Sequence, residues 1–540
     1  MKLTAVYYTM RKFSNQSRIL LSFLPVIVLC IIFSEPANAT NSIVDINHPV
    51  YEYLQRLEAK GFIRDLRLYS RPNTREEIGE LLVLTYRASE AGENLTRYDR
   101  QRLLKYLQEF DAYRLFEGYE AKQGENHLVR YSHQNWRFTG DVMADLSNRL
   151  QSNNAPYPVI GFGGEMRGSY YPSGESNSSI TGYLRWLTFV EFTEDTTYGE
   201  FGAEEGRAYT VRDGVLNSNR IRTGIFWESN LGRISYLHDT PKWGRGRIAG
   251  LQIGGAAPEF DLLHYAGWFG KLRFTFLMGK LNSNYGQRFL GGHRLEWQPV
   301  RWLQFSVGET VIYGDSTNAR GIEYTYLNPF IPYTAAEMNV GDRDNNTGAI
   351  GFTAFLRDKV TIYGEALFDD FVFNKSFTEY FANKWAGLLG FYWIDPIDIP
   401  GSSVTFEYVR IEPWVYTHVD RVNIYRHFGT SLGYPLKPNS DRTLLALDKG
   451  FGRRWNITGT VMHSRHGAGD FEQSHDHPAS VPYVPEKSFL QGALTRETKT
   501  SLGIRYEFMQ SSYVRGTYIY TSRTGESAFQ QAIIGLSLNY

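Results

Sequence analysis

The sequence predicts a mainly β fold: a large transmembrane antiparallel β-barrel of about 16–18 strands, preceded by a small α-helical domain. Three observations lead to this prediction. The chain starts like an exported protein, it changes from helical periodicity to a period of two near residue 128, and its last segment is itself a two-faced strand. We therefore divide the chain into 1–39, 40–127 and 128–540.

Residues 1–39 are typical of a signal peptide. Basic side chains precede the apolar run "ILLSFLPVIVLCIIF", and the small-x-small triplet Ala37–Ala39 precedes Thr40. We expect cleavage near Ala39. Cys30, the only cysteine, lies in this segment, so we expect the mature chain to contain no disulfide.

Residues 40–127 have helical periodicity. The segment "HPVYEYLQRLEAKGF" places apolar residues on one stripe and ends near Gly61, a residue suited to terminate a helix. A capping box, Thr74 to Glu77, starts a second helix, and Thr96 caps a third. Because the apolar stripes are narrow, we expect the three helices to pack against something larger.

From about residue 128 the apolar residues alternate with polar ones. "FTGDVMADL" and "HRLEWQP" alternate cleanly, and "VTIYGEALFDD" does so with Leu367 as one misfit. Such strands have one apolar and one polar face, and in a membrane barrel the apolar face contacts lipid while the polar face lines the lumen. The length of this region corresponds to about 16–20 strands.

Three features favour a membrane barrel over a soluble sandwich. The inward positions are too polar to fill a dry core, and aromatic residues cluster near strand ends, as in Phe377–Trp393. The final segment "AIIGLSLNY" supplies a strand that closes the cylinder, with Ile534, Leu536, Leu538 and Tyr540 facing lipid. No later segment has 18 consecutive uncharged apolar residues, which excludes helical spans.

An ordered set of motifs resembles a known family. "HPVYEYLQRLEAKGFI", "HDTPKWGRGRIAGLQIGGAAPEFDLL", "GHRLEWQPVRWLQFSVGETVIYG", "EYTYLNPFIPYT", "GDRDNNTG", "YGEALFDDF" and "GTSLGYPLKPNSD" occur in this order. Together they resemble the capsule-assembly Wzi family of outer-membrane proteins. The resemblance implies a barrel of about eighteen strands, a helical bundle at its periplasmic end, and binding of capsular or extracellular polysaccharide without catalysis.

The turn "KWGRGR" is one candidate ligand-binding site. Trp243 could stack on a sugar, while Lys242, Arg245 and Arg247 could bind uronate carboxylates. The alternative is an interfacial tryptophan with arginines at the lumen or rim. The motif has no following helix, so it is not a phosphate loop.

A second candidate set lies on predicted strands. The side chains of Arg294, Glu296, Glu365 and Asp369 share the predicted lumen faces, where they could bind polysaccharide or pair with one another to stabilise the wall. Glu309 falls on the apolar face of its strand. We expect either a bulge at Gly308 that changes the facing, or a row that faces the interior after all.

Catalytic, metal and cofactor sites are not predicted. The turn "GTSLG" lacks the following helix that a nucleophile at Ser431 needs, and there is no "HExxH" motif. In "GDRDNNTG" the residue at position twelve of a calcium loop would be Thr353 instead of glutamate, and the loop histidines have no committed spacing. A glycosidase pair of carboxylates stays open.

The leading hypothesis is therefore an outer-membrane barrel lectin that binds surface or capsular polysaccharide and helps its assembly or attachment. The expected location is the outer membrane of a Gram-negative-type bacterium, with outer-membrane lipid and export machinery as further partners. With 57 basic and 57 acidic residues, nothing in the total charge indicates nucleic acid. The alternatives are a porin or solute channel, which the same alternation would serve, and an outer-membrane hydrolase.

Overall fold

Eighteen antiparallel strands form a closed barrel, which confirms the predicted fold class. The structure is a computed structural model. It describes residues 40–92, 95–112, 125–152, 155–172, 178–193, 209–282, 284–341, 343–356, 359–474 and 486–540. The expected signal peptide and much of the loop Arg465–Ser488 lie outside these ranges.

The barrel strands follow one another around the wall in chain order. They are β1 Trp136–Gln151, β2 Tyr157–Tyr170, β3 Ser178–Glu191, β4 Val215–Ser229, β5 Gly232–Asp239, β6 Phe260–Phe269, β7 Leu272–Lys280, β8 Gln287–Val300, β9 Leu303–Asp315, β10 Asn345–Phe355, β11 Val360–Asp370, β12 Lys384–Ile394, β13 Ser402–Ile411, β14 Ser440–Phe451, β15 Trp455–His466, β16 Thr495–Met509, β17 Ser512–Arg523 and β18 Phe529–Asn539. Two shorter strands, Val129–His133 and Tyr209–Arg212, pair with β1 and β4 respectively.

The barrel closes through the last strand. Strand β18 pairs with β1, and Tyr540 and Val142 exchange two backbone hydrogen bonds of 2.8 and 3.0 Å. Side chains on β18 alternate as expected, with Ile534 and Tyr540 exposed on the outer face. The closed ladder leaves no strand edge in contact with hydrocarbon.

Connections differ in length between the two ends of the barrel. At one end, here called the turn end, strands are joined by short turns such as 230–231 and 270–271. At the other, the loop end, several connections are long. In outer-membrane barrels short turns are periplasmic and long loops extracellular. Exposed tryptophans line the turn end, as an interfacial girdle would: Trp136, Trp227, Trp297, Trp302 and Trp455.

Three helices precede the barrel: α1 Val50–Lys60, α2 Arg75–Glu90 and α3 Arg97–Glu109. Both hydrogen bonds of the predicted capping box are present in α2, and Gly61 ends α1 in the left-handed conformation. The helices share their own apolar core. Among the described residues, no helix is both long enough and apolar enough to cross a membrane.

The helical domain closes the turn end. Arg56 and Lys60 of α1 each lie 2.6 Å from Asp395, in the turn before β13. On the other side of the lumen, Arg233 of β5 reaches Glu77 at 3.2 Å. Arg273 of β7 donates to backbone carbonyls of residues 66, 67 and 70. The predicted larger partner of these helices is therefore the barrel.

The lumen holds a packed apolar core in addition to polar side chains. The connection β5–β6, here called the plug loop (residues 240–259), folds inward and contributes Leu251 and Ile253. The connection β13–β14, the cap loop (residues 412–439), covers it from the loop end with Tyr416 and Leu432. Leu367, the misfit in the alternation, packs in this core, because loops supply apolar neighbours inside the barrel.

Glu309 lies on the outer face of the wall, and neither predicted explanation is right. Strand β9 pairs without a register shift on either side of Gly308, so the strand has no bulge there. The neighbours Phe305 and Val307 are exposed outside. Instead, the connection β9–β10, here called the wall loop (residues 316–344), folds down over the outer face and covers the carboxylate. It contains α4 Tyr324–Leu327 and α5 Tyr333–Val340.

A charge at the middle of the outer wall should destabilise the barrel. Leu502 is the midpoint of β16 and is exposed on the outer face. We expect Leu502→Lys to cost about 2–4 kcal/mol because lysine would face hydrocarbon. Urea unfolding in lipid vesicles measures this.

Thr517→Lys is the matched control. Thr517 lies at the same height on β17, paired with Gly503, and its side chain points into the lumen. Equal unfolding midpoints for the two variants would contradict the assigned faces.

Candidate functional site

The "KWGRGR" turn forms the base of the plug loop deep inside the barrel. Lys242–Trp243 pairs antiparallel with Ser70–Arg71 of the helical domain. We call this short antiparallel ladder the bridge. The N–H of Gly244 extends it with a hydrogen bond of 3.0 Å to the carbonyl of Tyr69. Its φ of 101° and a side chain of Glu365 in the place of a Cβ require glycine here.

Trp243 is fully buried, with 0% of its surface exposed. It packs in the lumen core, and the Arg294 guanidinium lies 5.8 Å from its ring centre. Lys242 donates to the carbonyls of Gly246 and Ile248, at 2.7 and 3.4 Å. Burial and the nearby Arg71 lower the pKa of Lys242 to about 7. These contacts hold the plug loop together.

Arg245 and Arg247, the two arginines of the turn, are each paired with a carboxylate. Arg245 binds Glu58 of α1 through both terminal nitrogens and reaches Gln304 of β9 at 2.9 Å. Arg247 donates to Asp448 of β14 at 3.0 Å, and its backbone N–H donates to Glu407 at 2.8 Å. Arg245 therefore fixes the plug loop to the helical domain, and Arg247 fixes it to the wall.

Arg294 and Glu296 face the lumen, as predicted from their strand. Arg294 donates to Ser306 at 2.7 Å and lies 3.4 Å from Glu296. Glu296 accepts a hydrogen bond from Ser70 and lies 3.6 Å from Arg273. The pair thus stabilises the wall and the docked helical domain at once.

Glu365 and Asp369 of β11 hold the two loops that fill the lumen. Glu365 accepts the backbone N–H of Leu251 in the plug loop at 2.9 Å. Asp369 accepts the N–H of Tyr416 in the cap loop at 2.5 Å. Outside the barrel, Glu309 accepts the N–H of Tyr333 at 2.7 Å and lies 3.2 Å from the His293 ring.

The structure brings eight of the nine predicted site residues together around the plug loop and leaves Glu309 outside. Lys242, Arg245 and Arg247 line an inner cavity of about 310 Å³ between the plug loop and helices α1 and α3. This cavity lies toward the turn end, behind the plug and cap loops. Contact of these residues with polysaccharide stays a prediction.

Two carboxylates of the helical domain, Asp99 and Glu109, contact Arg56 and His48, which line the inner cavity. Burial alone would raise the pKa of Asp99, but Arg56 and Lys60 hold it below its usual range. Burial likewise opposes ionisation of Glu109, and Lys105 and His48 outweigh it, so that the pKa of Glu109 falls to about 2. Both acids are therefore charged near neutral pH.

A second, outer cavity of about 480 Å³ lies at the loop end. The connection β7–β8, the wall loop and the cap loop form it, and Tyr285, Arg320, Arg343, Asp420 and Arg421 are among its lining residues. Its size is in the usual range for small-ligand sites. It opens where long loops meet solvent.

Two of the arginines that line the outer cavity, Arg343 and Arg421, have guanidinium N–H groups available to a ligand, whereas each guanidinium nitrogen of Arg320 already donates to a carboxylate. Arg320 is engaged by Asp344 through both terminal nitrogens and by Glu323. Arg343 is exposed, and within the described part of the chain its guanidinium has no ion-pair partner. The side chain of Arg421 is 62% exposed, and its guanidinium lies 3.6 Å from the carboxylate of Glu472, which is longer than a hydrogen bond. Such guanidinium groups suit carboxylates and hydroxyls of a sugar chain.

Sequence reasoning did not identify Tyr285, Arg343 or Arg421. Arg343 belongs to the turn "GDRDNNTG", whose acidic residues partly match the spacing of a calcium loop. Asp342 of that turn lies outside the described residues, and the carboxylate of Asp344 binds Arg320 and Tyr326. Basic residues in the long connections were the only sequence signal for this cavity. The alternation along the strands does not show which of the long loops come together.

The fold and the filled lumen define the class of this protein: a large outer-membrane-type β-barrel closed by its own helical domain and loops. The sequence model of the family "Capsule assembly protein Wzi" matches residues 229–526, more than half of the chain. The chain belongs to this family. The N-terminal motif "HPVYEYLQRLEAKGFI" lies outside the matched residues.

A solved structure agrees with this chain in fold. Wzi of Escherichia coli, described as an outer membrane protein involved in group 1 capsule assembly and a carbohydrate-binding β-barrel, aligns over 92% of this chain and 99% of its own, with 14% identity and a TM-score of 0.58. Pseudomonas aeruginosa OpdK with vanillate aligns over 75% and 98%, with 10% identity and a TM-score of 0.43. For Acinetobacter baumannii OccAB4 the coverage is 75% and 98%, with 9% identity and a TM-score of 0.44. No curated protein sequence matches the chain.

Acid should release the helical domain. Because the pKa of Glu109 is lower in the folded protein than in an unfolded chain, its contribution is complete above about pH 4.3 and is lost as the pH falls through about 2. We expect stability of the domain to be flat near neutral pH and to fall by on the order of 3 kcal/mol in acid. Urea titrations followed by helical circular dichroism measure this.

Glu109→Gln is the control for this titration. It removes the ionisable group, so the variant should be less stable near neutral pH and should lose less stability in acid. An unchanged acid response in this variant would contradict the assignment to Glu109.

Proposed function

We propose that the protein is an outer-membrane barrel lectin that binds surface or capsular polysaccharide and helps its assembly or attachment at the cell surface. The observation that carries the proposal is the outer cavity, with exposed arginines at the loop end, above a lumen that is filled. Family membership supports the same conclusion. The E. coli structure with the same fold is described as carbohydrate-binding.

Binding at the outer cavity would use two kinds of contact. Arg343 and Arg421 would bind carboxylates or hydroxyls of the polymer, and the ring of Tyr285 would pack against a sugar face. Each contact is weak, but one polymer carries many repeats, and many barrels in one membrane would hold it by avidity. We propose that this binding involves no catalysis and no cofactor.

The nine residues predicted from the sequence have a different proposed relation to the polymer. Because Arg245, Glu365 and Asp369 hold the helical domain, the plug loop and the cap loop, we propose that they support the outer surface indirectly. Direct polysaccharide contact by Lys242, Arg245 and Arg247 would need access to the inner cavity. Arg247, whose side chain is 22% exposed, is the member best placed for it.

We also propose the cellular context. Residues 1–39 would direct export and be removed near Ala39. The helical domain, residues 40–127, would face the periplasm, because short turns occupy its end of the barrel, and export machinery could contact it there. Outer-membrane lipid would surround the wall of residues 128–540.

The filled lumen is the observation against the porin alternative. The plug loop and the cap loop share one apolar core with the barrel wall, and the helical domain, which has its own core, pairs with the plug loop at the turn end. An open diffusion pore would need a continuous polar path past these three segments. We therefore favour binding over transport.

Removing the two outer arginines should weaken polysaccharide binding. For the double variant Arg343→Ala/Arg421→Ala, we expect affinity for the organism's own surface polymer to fall roughly a hundredfold or more, since each of the two lost charged hydrogen bonds is worth about 1.5–3 kcal/mol. Calorimetry on the detergent-solubilised protein measures the affinity.

Arg453→Ala is the matched control, because Arg453 is an exposed arginine in a turn at the opposite end. Its binding should equal that of the unmodified protein. Trp243→Ala and Arg245→Ala, with folding verified by circular dichroism, test the inner cavity. If these two lose binding while the double variant retains it, the outer cavity is not the site.

A further inference from the structure

The wall loop packs on the outside of the barrel. Its residues Tyr326, Tyr333 and Ala336 share an apolar cluster with strand residues such as Val311 and Tyr313. The next residue on the same strand, Ile312, belongs to the separate lumen core. Because side chains alternate along a strand, Val311 and Tyr313 point away from the lumen, and the loop covers them from outside.

The wall loop reaches the middle of the wall. The N–H of Tyr333 binds Glu309, the central residue of the 13-residue strand β9. Nearer the turn end, the ring of Phe330 stacks on the ring of Phe274 of β7, with the ring centres 5.9 Å apart. A 13-residue strand at about 3.3 Å per residue and a tilt of about 40° rises roughly 33 Å, and the apolar band of such barrels is about 25 Å tall. Mid-strand contacts therefore lie within the band.

The composition of this segment matches that depth. Glu337 is the only charged residue between 324 and 340, and its side chain is buried, accepting the N–H of Asp344. Large apolar side chains point away from the barrel instead: Tyr324, Phe330 and Met338 are 86%, 83% and 73% exposed. Charged residues resume at both ends of the segment, nearer the loop end.

Backbone groups in this segment are largely satisfied, which hydrocarbon demands. Within helix α5 the bonds are intrahelical, and the N–H groups of Ala335 and Ala336 bind the carbonyl of Pro332. The N–H of Phe330 binds the side chain of Asn328. Pro329 and Pro332 have no N–H to satisfy.

We infer that residues 324–340 lie within the hydrocarbon region of the membrane, from its outer leaflet to about mid-depth, and that Tyr324, Phe330 and Met338 contact lipid acyl chains. The outer wall beside the loop, with Val307 and Ile350 exposed, is continuous with this surface. The loop thereby replaces part of the wall as the lipid-facing surface and shields Glu309 and His293. This position depends on insertion of the barrel and not on polysaccharide binding.

Spin labels at single cysteines test the position in lipid vesicles. In a Cys30→Ser background, Phe330→Cys and Met338→Cys probe the segment. Val307→Cys is the control for lipid contact, and Ala319→Cys, exposed at the tip of the same loop, is the control for water. The measured quantity is the ratio of collision rates with oxygen and with a water-soluble nickel chelate.

We expect the ratios at Phe330 and Met338 to match that at Val307 and to exceed that at Ala319 several-fold. Ratios equal to that at Ala319 would place the segment in water and overturn the inference. Low collision rates with both reagents would indicate a second copy of the chain or another protein on this surface, which also overturns it.

Discussion

Two residues from the helical domain and two from the plug loop pair inside the barrel, and the filling of the lumen depends on this bridge. Ser70–Arg71 and Lys242–Trp243 are far apart in sequence, yet their backbones form one small antiparallel ladder. Ser70, Lys242 and Trp243 are buried, and Arg71 is half-buried beside the inner cavity. Around it, Arg245 with Glu58 forms a buried ion pair, and removal of one partner from such a pair typically costs about 3–5 kcal/mol.

The bridge links the two ends of the molecule. Glu365 holds the plug loop to the barrel wall. The cap loop holds it from the loop end, where the N–H of Gly254 donates to the carbonyl of Leu432. The helical domain is fixed to the turn end of the barrel by Asp395 and Arg233. The cap loop therefore rests on a continuous packed column inside the lumen, while the wall loop packs on the outer face of the barrel. Rigid loops lose less conformational entropy when they bind a polymer.

The strands were predictable from the sequence, and most of the loops were not. Alternation fixed the faces of Arg294, Glu296 and Glu365, and cap signals at Thr74 and Gly61 marked the helices. Leu367 and Glu309 broke the pattern because loops cover both faces of the wall, one inside and one outside. Periodicity describes how a strand meets its surroundings, and it carries no information on where an irregular segment folds. For the same reason the outer cavity was missed, since its residues converge from three separate connections.

Hydrogen exchange of the backbone amides in the plug loop tests the filled lumen most directly. The amide of Trp243 donates to Ile253 within the plug loop, and the amides of Gly244 and Gly254 donate to Tyr69 of the helical domain and Leu432 of the cap loop. If the bridge forms as described, the backbone amides of peptides containing these residues exchange as slowly as those of peptides from the wall strands β8 and β11. Exchange as fast as that of the exposed tip at Thr317–Ala319 would show a lumen open to water and would contradict the account.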